Sequence, residues 1–141
     1  MHNVAVVTPR LRLWFLLVGS AVALGCGDDT DGRPAVWSYV SPAIIQPNCA
    51  TSSCHSQGVA AAGLDLSSID KGHTSLTKLT VTRSTAQSPR PMVLPFNPEE
   101  SRMLHMLRAT GSSNRMPPDR ALAAADIELI EKWILNGATK D

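Results

Sequence analysis

The chain has 141 residues, with 13 Lys or Arg against 12 Asp or Glu and a formal net charge of +1. That balance argues against nucleic acid as a partner, and the length fits one small domain with a modest core rather than two. Charged residues make up 18% and aromatic residues 4%, with nine Gly and ten Pro, so loops form much of the chain and the domain needs a staple.

Residues 1–25 read as an export signal. Arg10 and Arg12 precede the apolar run Leu13-Trp14-Phe15-Leu16-Leu17-Val18, and small residues follow up to Gly25-Cys26. A transmembrane anchor fits less well, because Leu13 to Leu24 is short for roughly 30 Å of hydrocarbon. The segment Ala23-Leu24-Gly25-Cys26 resembles a bacterial lipobox, which implies that Cys26 becomes the lipidated N-terminus, with simple cleavage as the alternative. Removing residues 1–25 takes two of the thirteen basic residues, which leaves eleven against twelve acids and a charge near −1. Residues 26–35, with Gly27-Asp28-Asp29-Thr30-Asp31-Gly32, read as a flexible tether. The domain is then 36–141.

Ser41-Pro42 reads as an N-cap and first helical residue, giving a short helix over about 36–46 that carries Ile44 and Ile45 and stops at Pro47. Next come Cys49 and Cys54, five residues apart, with His55 directly after. If Cys26 carries lipid, this pair is the staple. A disulfide between the two thiols, with His55 an ordinary surface residue, suits an oxidising compartment. Zinc needs about four ligands, and His73 and His105 lack a second close pair.

From Ser56 to Pro95 the signals are mixed and the stretch is expected to be mostly loop. Pro98-Glu99-Glu100 opens a second expected helix with acids in its first turn; Met103, Leu104, Met106 and Leu107 form its buried stripe, and Gly111 ends it. Met103 and Met106 are core residues by default, and His105 on the same helix is exposed or satisfied. Asn114-Arg115-Met116-Pro117-Pro118-Asp119 follows as a stiff, extended loop, because each proline fixes its own backbone and restrains the residue before it. The last helix, about 124–136, sets Ile127, Ile130, Trp133 and Ile134 at helical spacing and closes at Asn136-Gly137; it should pack on the first helix, with Trp133 filling the core.

The stretch Cys49-Ala50-Thr51-Ser52-Ser53-Cys54-His55 is similar to the haem attachment signature of c-type cytochromes, with four residues between the cysteines instead of two. The chain order of Cys-Cys-His, a variable middle, Met-Pro-Pro and a terminal amphipathic helix resembles a class I cytochrome c. Gly63-Leu64-Asp65-Leu66, Val93-Leu94-Pro95-Phe96-Asn97-Pro98-Glu99-Glu100-Ser101 and Trp133-Ile134-Leu135-Asn136-Gly137-Ala138 extend the likeness over most of residues 36–139 to the small cytochrome c-type domains of bacterial exported proteins.

The resemblance implies a mainly α domain of about three helices with long loops around one covalent haem c. Cys49 and Cys54 would hold it by thioether bonds, and His55 and Met116 would be its axial ligands. His73 is a rival to Met116 for the second position. Ile44, Ile45, Leu104 and Trp133 are expected to make the apolar pocket, and a cavity is expected between Cys54-His55 and Met116. With both axial positions filled, the implied function is electron carriage rather than enzymology, with redox proteins and membrane lipid as partners on the periplasmic side of a bacterial membrane or at the cell surface. Two other readings stay open: a haem-free, disulfide-stapled lipoprotein that binds a partner, and a haem enzyme or sensor in which the Met116 bond is labile.

Overall fold

Trp37, Val40, Ile44 and Ile45 recur at spacings that put them on one side of a helix, and residues 37–49 form one continuous helical run, α1. The computed structural model describes residues 32–78, 80–81 and 90–141; the export segment, Cys26 and the first part of the tether lie outside the described residues. Within α1, Trp37–Val40 is α-helical, Ser41–Ile45 takes the wider π form and Gln46–Cys49 returns to α. The expected start near residue 36 holds, but the expected cap at Ser41-Pro42 and the expected stop at Pro47 do not. Val36 is the cap, Ser41 is fully buried inside the helix and accepts a hydrogen bond from Gln46 Nε2 at 3.1 Å, and Pro47 does not end it. The Gln46 N–H reaches Ser41 O five residues back, and Pro42 and Pro47 stand where the helix changes between its α and π forms.

Among the described residues, the middle of the chain, expected to be mostly loop, also holds a helix. Residues Ile69–Thr77 form a helix, α2, capped by Ser68, whose side chain accepts from the Lys71 N–H at 3.3 Å. Gly72, His73, Thr74, Ser75 and Thr77 are weak helix formers, so tertiary packing rather than propensity secures it. Its Gly72 lies under the Trp37 indole, where an added Cβ would stand 3.2 Å from the ring. After α2, Thr80–Val81 and Arg90–Pro91 make a short antiparallel pair, β1 and β2.

The helix expected at Pro98 begins later, as α3, Arg102–Arg108. Asn97 Oδ1 accepts the Glu100 N–H at 3.1 Å, and this turn holds Pro98-Glu99-Glu100 outside the helix. Buried Ser101 joins the turn to the preceding strand end: its hydroxyl donates to Asn97 O at 2.7 Å and accepts from the Leu94 N–H at 2.9 Å. The last helix, α4, runs Ala124–Leu135, close to its expected bounds. It ends at Gly137, whose φ of +97° and contact with the Phe96 ring leave no room for a side chain: an added Cβ would lie 2.5 Å from that ring.

The domain is mainly α, with four helices among the described residues. Its core lies where α1 meets α2 and α4. Trp37 and Trp133 pack with ring centroids 4.7 Å apart, and Val40, Ile44, Ile45, Leu129, Ile130 and Ile134 close around them, each 1% exposed or less. Each such aliphatic side chain contributes about 1.5–3 kcal/mol by leaving water. An ion pair of Arg33 with Asp126 ties the end of the expected tether to α4, and Arg108 with Glu131 ties α3 to it. No helix among the described residues is long and apolar enough to cross a membrane.

Candidate functional site

The end of α1 delivers Cys49, and the chain then folds back on itself. The Cys54 N–H donates to Thr51 O at 3.0 Å and the His55 N–H returns to Cys49 O at 3.1 Å, which brings both thiols and the imidazole to one short loop. Neither thiol is joined to the other. Burial pushes the Cys49 thiol up to about 12, with the neighbouring Cys54 adding to the effect, because a thiolate packed against the core loses its hydration.

In the haem-free protein this burial slows the chemistry of Cys49. Relative to an ordinary thiol at 9.0, the thiolate fraction at pH 8 falls about a thousandfold, and the greater nucleophilicity of a high-pKa thiolate returns about thirtyfold. Cys49 is therefore expected to react with iodoacetamide about thirty times more slowly than an unperturbed cysteine, and to reach ordinary rates in urea. Peptide mass spectrometry over a time course measures both rates; equal rates in buffer and urea would contradict the burial.

His55 is oriented by a strained loop. Ala60 and Ala62 take left-handed backbone at φ 42° and 56°, and the short helical turn Ala61–Gly63 doubles back so that the Ala61 N–H meets Cys54 O at 3.1 Å. The Ala61 carbonyl then lies 3.0 Å from His55 Nδ1. Left-handed backbone costs about 1–2 kcal/mol for a residue with a Cβ, and it persists where surrounding contacts enforce it. With Nδ1–H donating to that carbonyl, Nε2 carries the free lone pair, the arrangement by which proteins present histidine to a metal.

The Gly63-Leu64-Asp65-Leu66 stretch holds the next wall. Leu64 and Leu66 are buried, and the Leu66 N–H donates to His55 O at 2.8 Å. Between them Asp65 faces outward and closes its own turn: its carboxylate accepts from the Ser67 N–H and hydroxyl and pairs with Lys71, which holds it down at about 2. The Ser75 hydroxyl donates to Asp65 O and accepts the Asp65 N–H, which pins the turn to α2.

Met116 arrives on a separate, clamped loop. Its N–H donates to Met106 O of α3 at 3.0 Å, and Arg115 reaches forward to the Pro117 and Pro118 carbonyls at 3.2 and 3.1 Å. Two prolines in succession supply no N–H donors, so the guanidinium next to them holds the turn through their oxygens.

These pieces enclose one mostly apolar cavity of about 430 Å³, within the size range of small-molecule and cofactor sites. Cys49, Cys54 and His55 line it, as do Met116, Pro117 and Pro118. The apolar wall differs from the sequence expectation. Ile44, Ile45, Leu104 and Trp133 are buried in the core but do not line the cavity; Leu64, Leu66, Leu76, Met92, Met103 and Leu107 do. The α1 stripe is used up against α2 and α4, so the wall comes from the loops, from α3 and from Leu76 of α2. Met103 and Met106, expected as plain core residues, both face the cavity.

His73 stands elsewhere. Its Nε2 lies 2.8 Å from Ala138 O and its ring packs edge-on against Trp37 and Trp133, so it is a core histidine and does not reach the cavity. His105 is exposed, with Nε2 2.7 Å from Glu99 O. Among the described residues no group of three or more His, Cys, Asp or Glu side chains is placed to hold a metal ion by itself. Sequence reading missed Arg115, Arg102 and Ala61. An arginine directly before Met-Pro-Pro was a readable signal for the first; the other two act through the fold.

The donor set fits a covalent haem: two thiols and an imidazole presenting Nε2 on one loop, a thioether on a second, and an apolar space with both on its wall. Comparison of the chain with family models, with curated proteins and with solved structures gives no match.

Proposed function

We propose that this domain is an electron carrier holding one covalent haem through Cys49 and Cys54, with His55 and Met116 as axial ligands. The observation that carries the reading is the His55 Nδ1 contact with Ala61 O, which leaves Nε2 as the ligating nitrogen in a cavity that also receives Cys49, Cys54 and Met116. When bound, the haem supplies an iron that gains and loses one electron between its ferric and ferrous forms.

The chain's own groups set the terms of that exchange. His55 and Met116 would both hold the iron, and with both engaged the site would serve electron carriage rather than substrate binding. Leucine and methionine side chains make up much of the cavity lining, and an apolar surround disfavours the extra positive charge of the oxidised state. Arg115 and the Met106 carbonyl hold the Met116 loop in position through backbone bonds rather than through the thioether itself. The reading also includes export by residues 1–25 and lipid attachment at Cys26, which would hold the domain on the periplasmic side of a membrane or at the cell surface at high effective concentration near redox proteins.

The test is the protein expressed with a cytochrome c maturation system, reduced with dithionite and run on a denaturing gel stained for haem. Sharp reduced bands with haem retained on the gel are expected, and Met116→Ala should lose the weak long-wavelength ferric band of sulfur-bound iron. A colourless protein with Cys49 and Cys54 oxidised to each other would replace this reading with the stapled, partner-binding lipoprotein.

A further inference from the structure

Arg102 opens α3 and, among the described residues, is the one Lys, Arg, Asp or Glu side chain on the wall of the cavity. It is half-buried, and its guanidinium makes no ion pair or hydrogen bond among the described residues. The other polar groups on the wall are already engaged. Asn48 Nδ2 donates to Ile44 O at 2.8 Å, the Ser53 hydroxyl contacts Cys54 Sγ at 3.7 Å, and His55 Nδ1 is held by Ala61. Arg115, the nearest arginine to Met116 in the chain, is committed to proline carbonyls and does not line the cavity.

An unpaired guanidinium bordering an apolar space is a poor arrangement unless the occupant brings an anion, because the partly desolvated charge then gains a paired, charge-assisted hydrogen bond. Its planar fork suits a carboxylate in particular. We propose that Arg102 receives a carboxylate of the cavity's occupant, and, given the haem reading above, that it binds the propionate edge and so fixes which way round the macrocycle enters, with the vinyl edge left for Cys49 and Cys54.

The full chain expressed without maturation machinery and kept reduced tests this by absorbance titration with hemin and with hemin dimethyl ester, which has the same ring but no carboxylates. A charge-assisted hydrogen bond is worth about 1.5–3 kcal/mol, so the wild type should prefer hemin about tenfold or more. Arg102→Gln should bring the two affinities within about twofold by weakening hemin alone, and Arg102→Lys should keep part of the preference. Far-UV circular dichroism checks that each variant is folded, and the Lys variant carries the comparison should the Gln variant fail to fold. A wild-type preference retained in Arg102→Gln, or a wild type indifferent to esterification, would overturn the assignment while leaving the haem reading in place. Failure of both compounds to bind the wild type would overturn the two together.

Discussion

His55→Ala, made in the maturation host, is expected to lose the sharp reduced bands altogether, and added imidazole is expected to restore them. Ala60 and Ala62 hold left-handed conformations that an L-residue adopts at a cost, and what that geometry achieves is the placement of Ala61 O against Nδ1. The ring is thereby fixed in one tautomer, with Nε2 as the only unpaired nitrogen. Truncation to Ala removes that nitrogen and leaves a space of imidazole shape beside a carbonyl able to accept its N–H. Free imidazole supplies both atoms, so rescue distinguishes a lost ligand from a damaged fold. Absorption spectra of the reduced protein with and without imidazole make the measurement. Unchanged bands in His55→Ala would remove His55 from the iron and with it the account of the strained loop.

That Cys49, Cys54, His55 and Met116 would border one cavity was legible in the sequence because short-range covalent order carries their motifs. Cys49, Cys54 and His55 are neighbours in the chain, and Met116 stands before two prolines whose stiffness can be read directly. The α4 stripe of Ile130, Trp133 and Ile134 was legible for the same kind of reason, since helical periodicity is local. What was not legible depends on where elements meet. α2 is built from Gly72, His73, Thr74 and Ser75, which favour turns when isolated, and it is helical because Trp37 covers Gly72 and Ser75 pins the Asp65 turn. Ile44 and Ile45 precede Cys49 in the chain, but a helix face points by rotation rather than by order, and theirs is buried in the core instead of lining the cavity. Ser41-Pro42 carries every mark of a helix start, yet it lies inside α1, where the helix changes from its α to its π form.

Trp133→Ala is expected to destabilise the domain by about 3–5 kcal/mol, the usual range for removing a buried tryptophan. Several contacts would be lost together. The indole is 1% exposed, packs on Trp37 at 4.7 Å, meets the His73 ring at 6.2 Å, and donates from Nε1 to Thr139 O at 3.0 Å. Total stabilities of single domains are about 5–15 kcal/mol, so this change takes a large share and the urea midpoint should fall accordingly. Trp133→Phe separates the contributions: it keeps a ring against Trp37 and removes the hydrogen bond, and about 1–3 kcal/mol of loss is expected from a smaller ring and an unpaired Thr139 carbonyl. Because Trp133 does not line the cavity, the spectrum of the folded fraction should stay as in the wild type while the midpoint moves. A Trp133→Ala protein with an unmoved midpoint and a changed spectrum would put this residue at the cofactor and not in the core, and the division drawn here between a helical core and a loop-built site would have to be redrawn.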